Sequence, residues 1–184
     1  PKYKLGVGVY LDEHGNVPVL ESVKRAAQLL YEKKEPCAYL PMGGLDSFCL
    51  ATKKLLFGPT HSSNANIITT QALGGTGALR LGAELLQRTE KVPLVVISKP
   101  SWENHRNIFE SAGFKVQTYP YYDRNTNSFL FDELLAFLKN LPKHTVVILH
   151  ANCHNPTGID PSREQWQEIL NSIQKFGQIK TSKL

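Results

Sequence analysis

An α/β fold on a mainly parallel sheet is what this 184-residue sequence predicts, and three observations carry the prediction. From residue 67 onward, short β-branched apolar runs alternate with stretches whose apolar residues recur every three or four positions, the pattern of βαβ units. One run, Val146-Val147-Ile148-Leu149, is apolar at every position, as suits a strand covered on both faces. Directly after it the chain turns polar, with His150, Asn152, His154 and Asn155. That is where open α/β sheets bind ligands, just beyond the carboxyl end of a strand.

The elements follow in order. Residues 1–18 read as an extended arm with a turn at Asp12-Glu13-His14-Gly15-Asn16, and because Pro1 stands inside this pattern a piece upstream is expected. Residues 19–34 are predicted helical from Leu20, Val23, Ala27, Leu30 and Tyr31. Residues 39–45 form a loop, and 45–57 a second helix ended by Gly58-Pro59. Strands are then predicted at 67–72, 94–98, 114–119 and 146–149. Helices are predicted between and after them at 78–88, 103–112, 131–138 and 162–176, and 177–184 is a short polar tail. The domain reading is therefore an arm (1–18), a globular α/β part (19–176) and a divergent tail (177–184).

Composition narrows the function classes. Hydrophobic residues make up 41% and charged residues 20%, which are globular values for a chain long enough to bury a core. The net charge of +5 is mild and its basic residues are scattered, with no Lys/Arg block interleaved with aromatics, so nucleic acid is not an expected partner. No apolar run approaches the length of a membrane span and no signal-peptide pattern opens the chain, so no membrane partner is expected and a cytoplasmic location is. The final Ser182-Lys183-Leu184 offers a peroxisomal alternative, being that address when it stands at a true carboxyl terminus. Cys37, Cys49 and Cys153 have no CxxC spacing, and His150 and His154 are four apart but off any predicted helix and without a carboxylate pattern. Neither set reads as a metal site; the two histidines read as groups that orient or pack.

Three stretches have residue types that suit chemistry. Gly74-Gly75-Thr76-Gly77-Ala78 falls between a predicted strand and a helix. Glycines let backbone N–H groups approach an anion, and the helix N-terminus adds its positive dipole end, so the stretch reads as a phosphate cup or simply as a tight turn. It is not the dinucleotide fingerprint, since Arg80 stands where the third glycine belongs, and no Lys-Ser/Thr follows to make a P-loop. Trp102, in Ser98-Lys-Pro-Ser-Trp-Glu-Asn-His105, reads as core or as a stacking platform at a strand's carboxyl end. His105 there reads as a helix N-terminal histidine or as a supporting group, and Asn155-Pro156-Thr157-Gly158 is a turn.

Together these stretches resemble the class I aminotransferases, and within them the aspartate aminotransferase subfamily. The resemblance runs from about Leu5 to about Phe176 and includes Tyr39-Leu-Pro-Met-Gly-Gly-Leu45 and the arm segment Gly6-Val7-Gly8-Val9-Tyr10. It implies most of the large domain of a fold-type I enzyme dependent on pyridoxal 5'-phosphate (PLP), working as a homodimer and moving an amino group between aspartate and 2-oxoglutarate. Carried over by position, it implies Gly74, Gly75 and Thr76 at the cofactor phosphate, Trp102 against the pyridine ring and Asn155 at the ring oxygen. Tyr39 would reach the partner's phosphate. Gly8, Trp102 and Asn155 would also meet the substrate. His105 would support the carboxylate that holds the ring nitrogen, and Pro156 would follow a cis peptide bond that aims Asn155. Gly74 departs from the family's usual serine, which removes one hydroxyl contact.

The family's later segments lie outside these 184 residues: the aspartate that pairs with the ring nitrogen, the Schiff-base lysine and the substrate-gripping arginines. No catalytic residue is assigned, and the chain by itself is expected to be inactive. Two alternatives stand beside the enzyme: a non-catalytic short form that modulates a full-length subunit, and a phosphate-ligand-binding α/β domain.

Overall fold

The computed structural model describes residues 8–36, 38–92, 94–175 and 182–183. They fall into two compact units, residues 1–42 and 43–184.

In the first unit the predicted turn is present. The Asp12 carboxylate accepts the N–H groups of His14 (2.9 Å) and Asn16 (2.8 Å), an Asx-type closure. α1 (Glu21–Lys33) follows with an acidic first turn and a basic last turn, matching the helix dipole. None of its residues is buried. Gly8 is described and exposed, whereas the rest of the arm motif before it lies outside the described residues.

In the second unit α2 (Asp46–Ser62) is two helical stretches joined across a kink. Gly58 leaves the helical region (φ 70°, ψ 170°), and Pro59, which has no N–H to lose, opens a further helical turn. Gly58-Pro59 thus ends the first helical stretch where the sequence expects it, and a second short stretch follows across the kink. Residues 67–72 correct an expectation, for they form no strand. A strand exists only by pairing, and Gln71 donates its N–H to the Gly43 carbonyl (2.9 Å), not to a sheet neighbour. α3 (Gly74–Thr89) begins at the glycines themselves, so the expected tight turn is the helix's own first turn. Gly74 sits at φ +64°, a conformation that favours glycine.

Then the alternation proceeds as expected: β1 (Val95–Lys99), α4 (Glu103–Ser111) and β2 (Val116–Pro120). A small antiparallel pair, β3 (Tyr122–Asp123) and β4 (Ser128–Phe129), was not foreseen; two-residue strands have too little periodicity to announce themselves. After it come α5 (Phe131–Lys139), β5 (Val146–Leu149) and α6 (Arg163–Lys175). Ser162 caps α6 through a reciprocal pair: its hydroxyl accepts the Gln165 N–H (3.2 Å), and Gln165 Oε1 accepts the Ser162 N–H (2.8 Å). The tail adds a two-residue strand, β6 (Ser182–Lys183), beside β5.

The sheet order is β2-β1-β5-β6 and every neighbouring pair is parallel. Strand alternation sorts the core into two layers. Val96, Val147 and Leu149 face Leu134 and Leu138 of α5 and Ile169 and Ile173 of α6. Val95, Ile97, Val146 and Ile148 face Leu79 and Ala83 of α3 and Ile108 and Phe109 of α4. Burial on both sides is why the β5 run carries no polar residue. Chain order reverses at β1, with β2 on one side and β5 on the other, so a crevice opens between the carboxyl ends of β1 and β5.

Candidate functional site

The loops leaving β1 and β5 meet in that crevice. They line a cleft of about 220 Å³ with Trp102 and His105 from the β1 side and His150, Asn152 and Asn155 from the β5 side. Trp102 is half-buried at the head of α4 and packs edge-on to His105, ring centroids 5.2 Å apart. The His105 ring is bonded through Nδ1 to the Ser101 hydroxyl (2.9 Å), a side-chain partner in place of a backbone one. Asn155 is exposed on the opposite rim, and its bond to Pro156 is cis, as the resemblance implied; Lys99-Pro100, at the end of β1, is cis as well.

His154 holds the β5 loop in place. It is 1% exposed, and its ring stacks on Tyr121 at 3.8 Å and 12°. Its Nε2 pairs with the Ser98 hydroxyl at the end of β1 (2.9 Å), and its Nδ1 pairs with the Thr157 hydroxyl in the turn (2.8 Å). Its backbone is tied as well: the N–H donates to Asp160 Oδ1 (2.8 Å), and the carbonyl accepts the Gly158 N–H (2.7 Å). Asp160 Oδ2 also accepts the Cys153 N–H (2.6 Å), so one carboxylate closes the loop at two consecutive amides. Both ring nitrogens of His154 are used internally, which leaves it no metal-binding capacity. Among the described residues no cluster of histidine, cysteine or carboxylate side chains has metal-site geometry.

Three imidazoles run through the loop: His105 to His150 at 5.0 Å and His150 to His154 at 4.3 Å. Burial, and secondarily the neighbouring His150, holds His105 and His154 at about 4, well below the usual imidazole value. His150 is also lowered, mainly by burial, with Asp160 pulling the other way. All three are neutral at pH 7. His150 Nδ1 accepts the Asn155 N–H (3.2 Å), which puts the ring proton on Nε2. That Nε2 is buried in the lining of the cleft and has no hydrogen-bond partner among the described residues. Such an atom calls for an acceptor.

Of the residues singled out from sequence, the cleft therefore gathers Trp102, His105 and Asn155, with Pro156 next to the last. Gly74, Gly75 and Thr76 do not line it. They form the exposed first turn of α3, a helix packed with α4 on the same face of the sheet. Leu73, at the N-cap, makes no side-chain capping bond, and Gly74 gives its N–H to the Ala72 carbonyl (3.0 Å); the Gly75 and Thr76 amides have no partner among the described residues. Gly8 and Tyr39 belong to the other unit, and Tyr39 is fully exposed. Sequence reasoning did not single out Ser98, Tyr121, Thr157 or Asp160. Only Asp160 had a local signal, as the acidic residue of the Gly158-Ile-Asp-Pro161 turn.

Comparison with known proteins agrees with this geometry. The profile of the family aminotransferase class I and II matches residues 1–179. An aspartate aminotransferase of Pseudomonas aeruginosa is 45% identical over 180 residues, which are 97% of this chain and 45% of that protein. An aspartate aminotransferase of Escherichia coli is 44% identical over 177 residues, 95% of this chain and 45% of its own length. The crystal structure of an aromatic-amino-acid aminotransferase from Burkholderia pseudomallei, covalently bound to pyridoxal phosphate, superposes with a TM-score of 0.88 at 41% identity. That match covers 97% of this chain and 46% of the other. The chain spans a little under half the length of the relatives it matches.

Proposed function

The chain belongs to the class I and II aminotransferase family, and from that premise we propose that its cleft is the ring-binding half of a PLP site in an enzyme that transfers an amino group from aspartate to 2-oxoglutarate. The observation that carries this is the convergence of Trp102 and Asn155, 53 positions apart, on opposite rims of one crevice at the sheet's switch point.

The residues present fit the cofactor. Trp102 would lie on the ring face, Asn155 would donate to the ring oxygen, and the amides of Gly75 and Thr76, with the Thr76 hydroxyl, would take the phosphate. The buried His150 Nε2–H, without a partner among the described residues, suits the same cleft to an acceptor. Bound there, PLP supplies the electron sink that lets an amino acid's Cα lose its proton. The chain's own work is placement. His154 locks the turn that presents Asn155, the indole excludes water from one face, and neutral His105 supports the cleft without adding charge. Tyr39, fully exposed, would serve a second copy's cofactor phosphate in a homodimer, and Gly8 would approach the substrate carboxylate. The cytoplasm is the compartment this reading assigns; among the described residues no helix is long and apolar enough to cross a membrane.

Among the described residues no lysine lines the cleft, and proton transfer needs a base within hydrogen-bond reach. The purified 184-residue chain is therefore expected to bind PLP weakly and non-covalently, and to transaminate aspartate no faster than free PLP. Borohydride reduction with peptide mapping, beside a coupled oxaloacetate assay, checks this. One stoichiometrically labelled lysine with protein-dependent turnover overturns it. Substrate class is read in a chimera whose matching segment in the Pseudomonas aeruginosa relative is replaced by this chain. Aspartate turnover supports the proposal. Turnover of aromatic amino acids alone favours the second reading, an aromatic aminotransferase, which the Burkholderia pseudomallei match motivates.

A further inference from the structure

α2 is held to its surroundings by polar contacts, since Ser62 is its only buried residue. Phe48, Leu50, Leu55 and Leu56 are all exposed. The turn that leads into it is nevertheless tied to a residue 26 positions on: Gln71 Oε1 accepts the Leu45 N–H (2.9 Å), and the Gln71 N–H donates to the Gly43 carbonyl (2.9 Å). Further along, Lys53 Nζ donates to the Asn64 carbonyl (3.0 Å). Between the two Gln71 bonds lies Gly44, buried at φ +91°. A Cβ there would stand 2.1 Å from Gln71 Cβ and 2.8 Å from its Oε1. Only glycine permits both that backbone conformation and so close an approach.

Gln71 is three residues ahead of Gly74. In between, Gly74 donates its N–H to the Ala72 carbonyl (3.0 Å) and Gly77 to the Leu73 carbonyl (3.2 Å). The two residues that follow Gln71 thus each accept one N–H from the first turn of α3, Ala72 from Gly74 and Leu73 from Gly77, so the placement of Gly75 and Thr76 between those bonds is coupled to where Gln71 is fixed. A free glycine pair would sample many conformations, and binding an anion would then cost ordering entropy.

We propose that Gln71 is a positioning residue: by clamping the 43–45 turn it preorganises the first turn of α3 as a cup for a phosphate monoester. This rests on the phosphate role given above to Gly75 and Thr76.

Gly44→Ala is the direct disruption, but its steric clash threatens local folding. Gln71→Met is the informative variant, because it keeps a similar stem and deletes the acceptor. In the 184-residue chain, Gln71→Met is expected to lower the ¹⁵N order parameters of Leu45, Gly75 and Thr76. It is also expected to weaken binding of inorganic phosphate and of PLP about threefold to tenfold, the range for one lost hydrogen bond. The unfolding transition of the sheet unit should stay in place. Gln71→Glu, which retains an acceptor on the same stem, should restore the order parameters. If Leu45 loosens while Gly75, Thr76 and phosphate affinity are unchanged, Gln71 merely ties down α2 and the proposal is overturned. If the unaltered chain shows no phosphate or PLP affinity, the proposal is overturned at its ligand. That failure of the cup reading is distinguishable, because Gly75 and Thr76 would still respond to Gln71→Met.

Discussion

α1 and the pair of strands β1 and β5 carry comparable apolar signals in sequence and end in opposite environments. The strands are buried from Val95 to Ile97 and from Val146 to Leu149, whereas Leu20, Val23, Leu30 and Tyr31, the stripe on and beside α1, are 64%, 54%, 65% and 83% exposed. The difference lies in what surrounds each element. A helix satisfies its own backbone hydrogen bonds, so the α1 ladder closes without a neighbour, but its exposed apolar stripe contributes no packing, and a helix of 13 residues is marginal in water without it. A strand has no existence without a neighbour, and one in the middle of a parallel sheet is covered on both sides by the crossover helices that its topology demands. Residues 67–72 show the converse: a strand-like sequence, with its hydrogen bonds directed to a turn, is not a strand.

The largest expected effect breaks or keeps that contrast directly. Leu134→Ala, at 0% exposure under β1 and β5, should cost about 2–5 kcal/mol of unfolding free energy. Leu30→Ala on α1 should fall within about 0.5 kcal/mol of the unaltered chain. Urea titration of both gives the comparison. An equal loss for Leu30→Ala would mean that the α1 stripe is covered in solution.

Next is acid. His105 and His154 titrate at about 4 when folded, against 6.5 for an ordinary imidazole. The unfolded chain therefore binds more protons between those values, and stability present above pH 6.5 is lost as pH falls toward 4. The pH dependence of unfolding in that window should correspond to at least two protons taken up, since His150 is lowered as well, and His154→Gln should reduce it. A flat profile would mean that these rings are solvated, and the loop less firmly held than the sheet beneath it.

A smaller effect tests the cleft. In the chimera, Trp102→Ala should weaken PLP retention by about 1–3 kcal/mol, from lost stacking and apolar area, and should shift the cofactor's absorption band. Unchanged affinity and spectrum would place Trp102 with the core, despite its position on the rim.

The smallest concerns the loop closure. Asp160→Asn leaves one acceptor oxygen where the Cys153 and His154 amides use two, and turns an NH2 donor toward the other amide, so it should cost about 1–2 kcal/mol; no loss would show that one oxygen is enough to close the loop. Urea titration reads this as well.

Much of the site was legible because local chemistry announces it. The β5 run, the polar break at His150 and the Asn155-Pro156-Thr157-Gly158 turn each follow from residues adjacent in the chain, and so do the helical stretches of α3 to α6. Folding decided what depends on partners distant in sequence. It brought Trp102 and Asn155 to one crevice, paired Ser98 with His154 across 56 residues, and left His150 Nε2 buried without a partner among the described residues. It also turned Gln71 away from the sheet and onto Gly44. The sequence by itself determined most of the elements and their order, though not β3, β4 or β6 and not the unpaired stretch 67–72, since propensity and periodicity act over a few residues. Only the tertiary structure decided which element is covered, which polar atom is orphaned and which side chains meet, because burial and hydrogen-bond pairing are properties of neighbours in space.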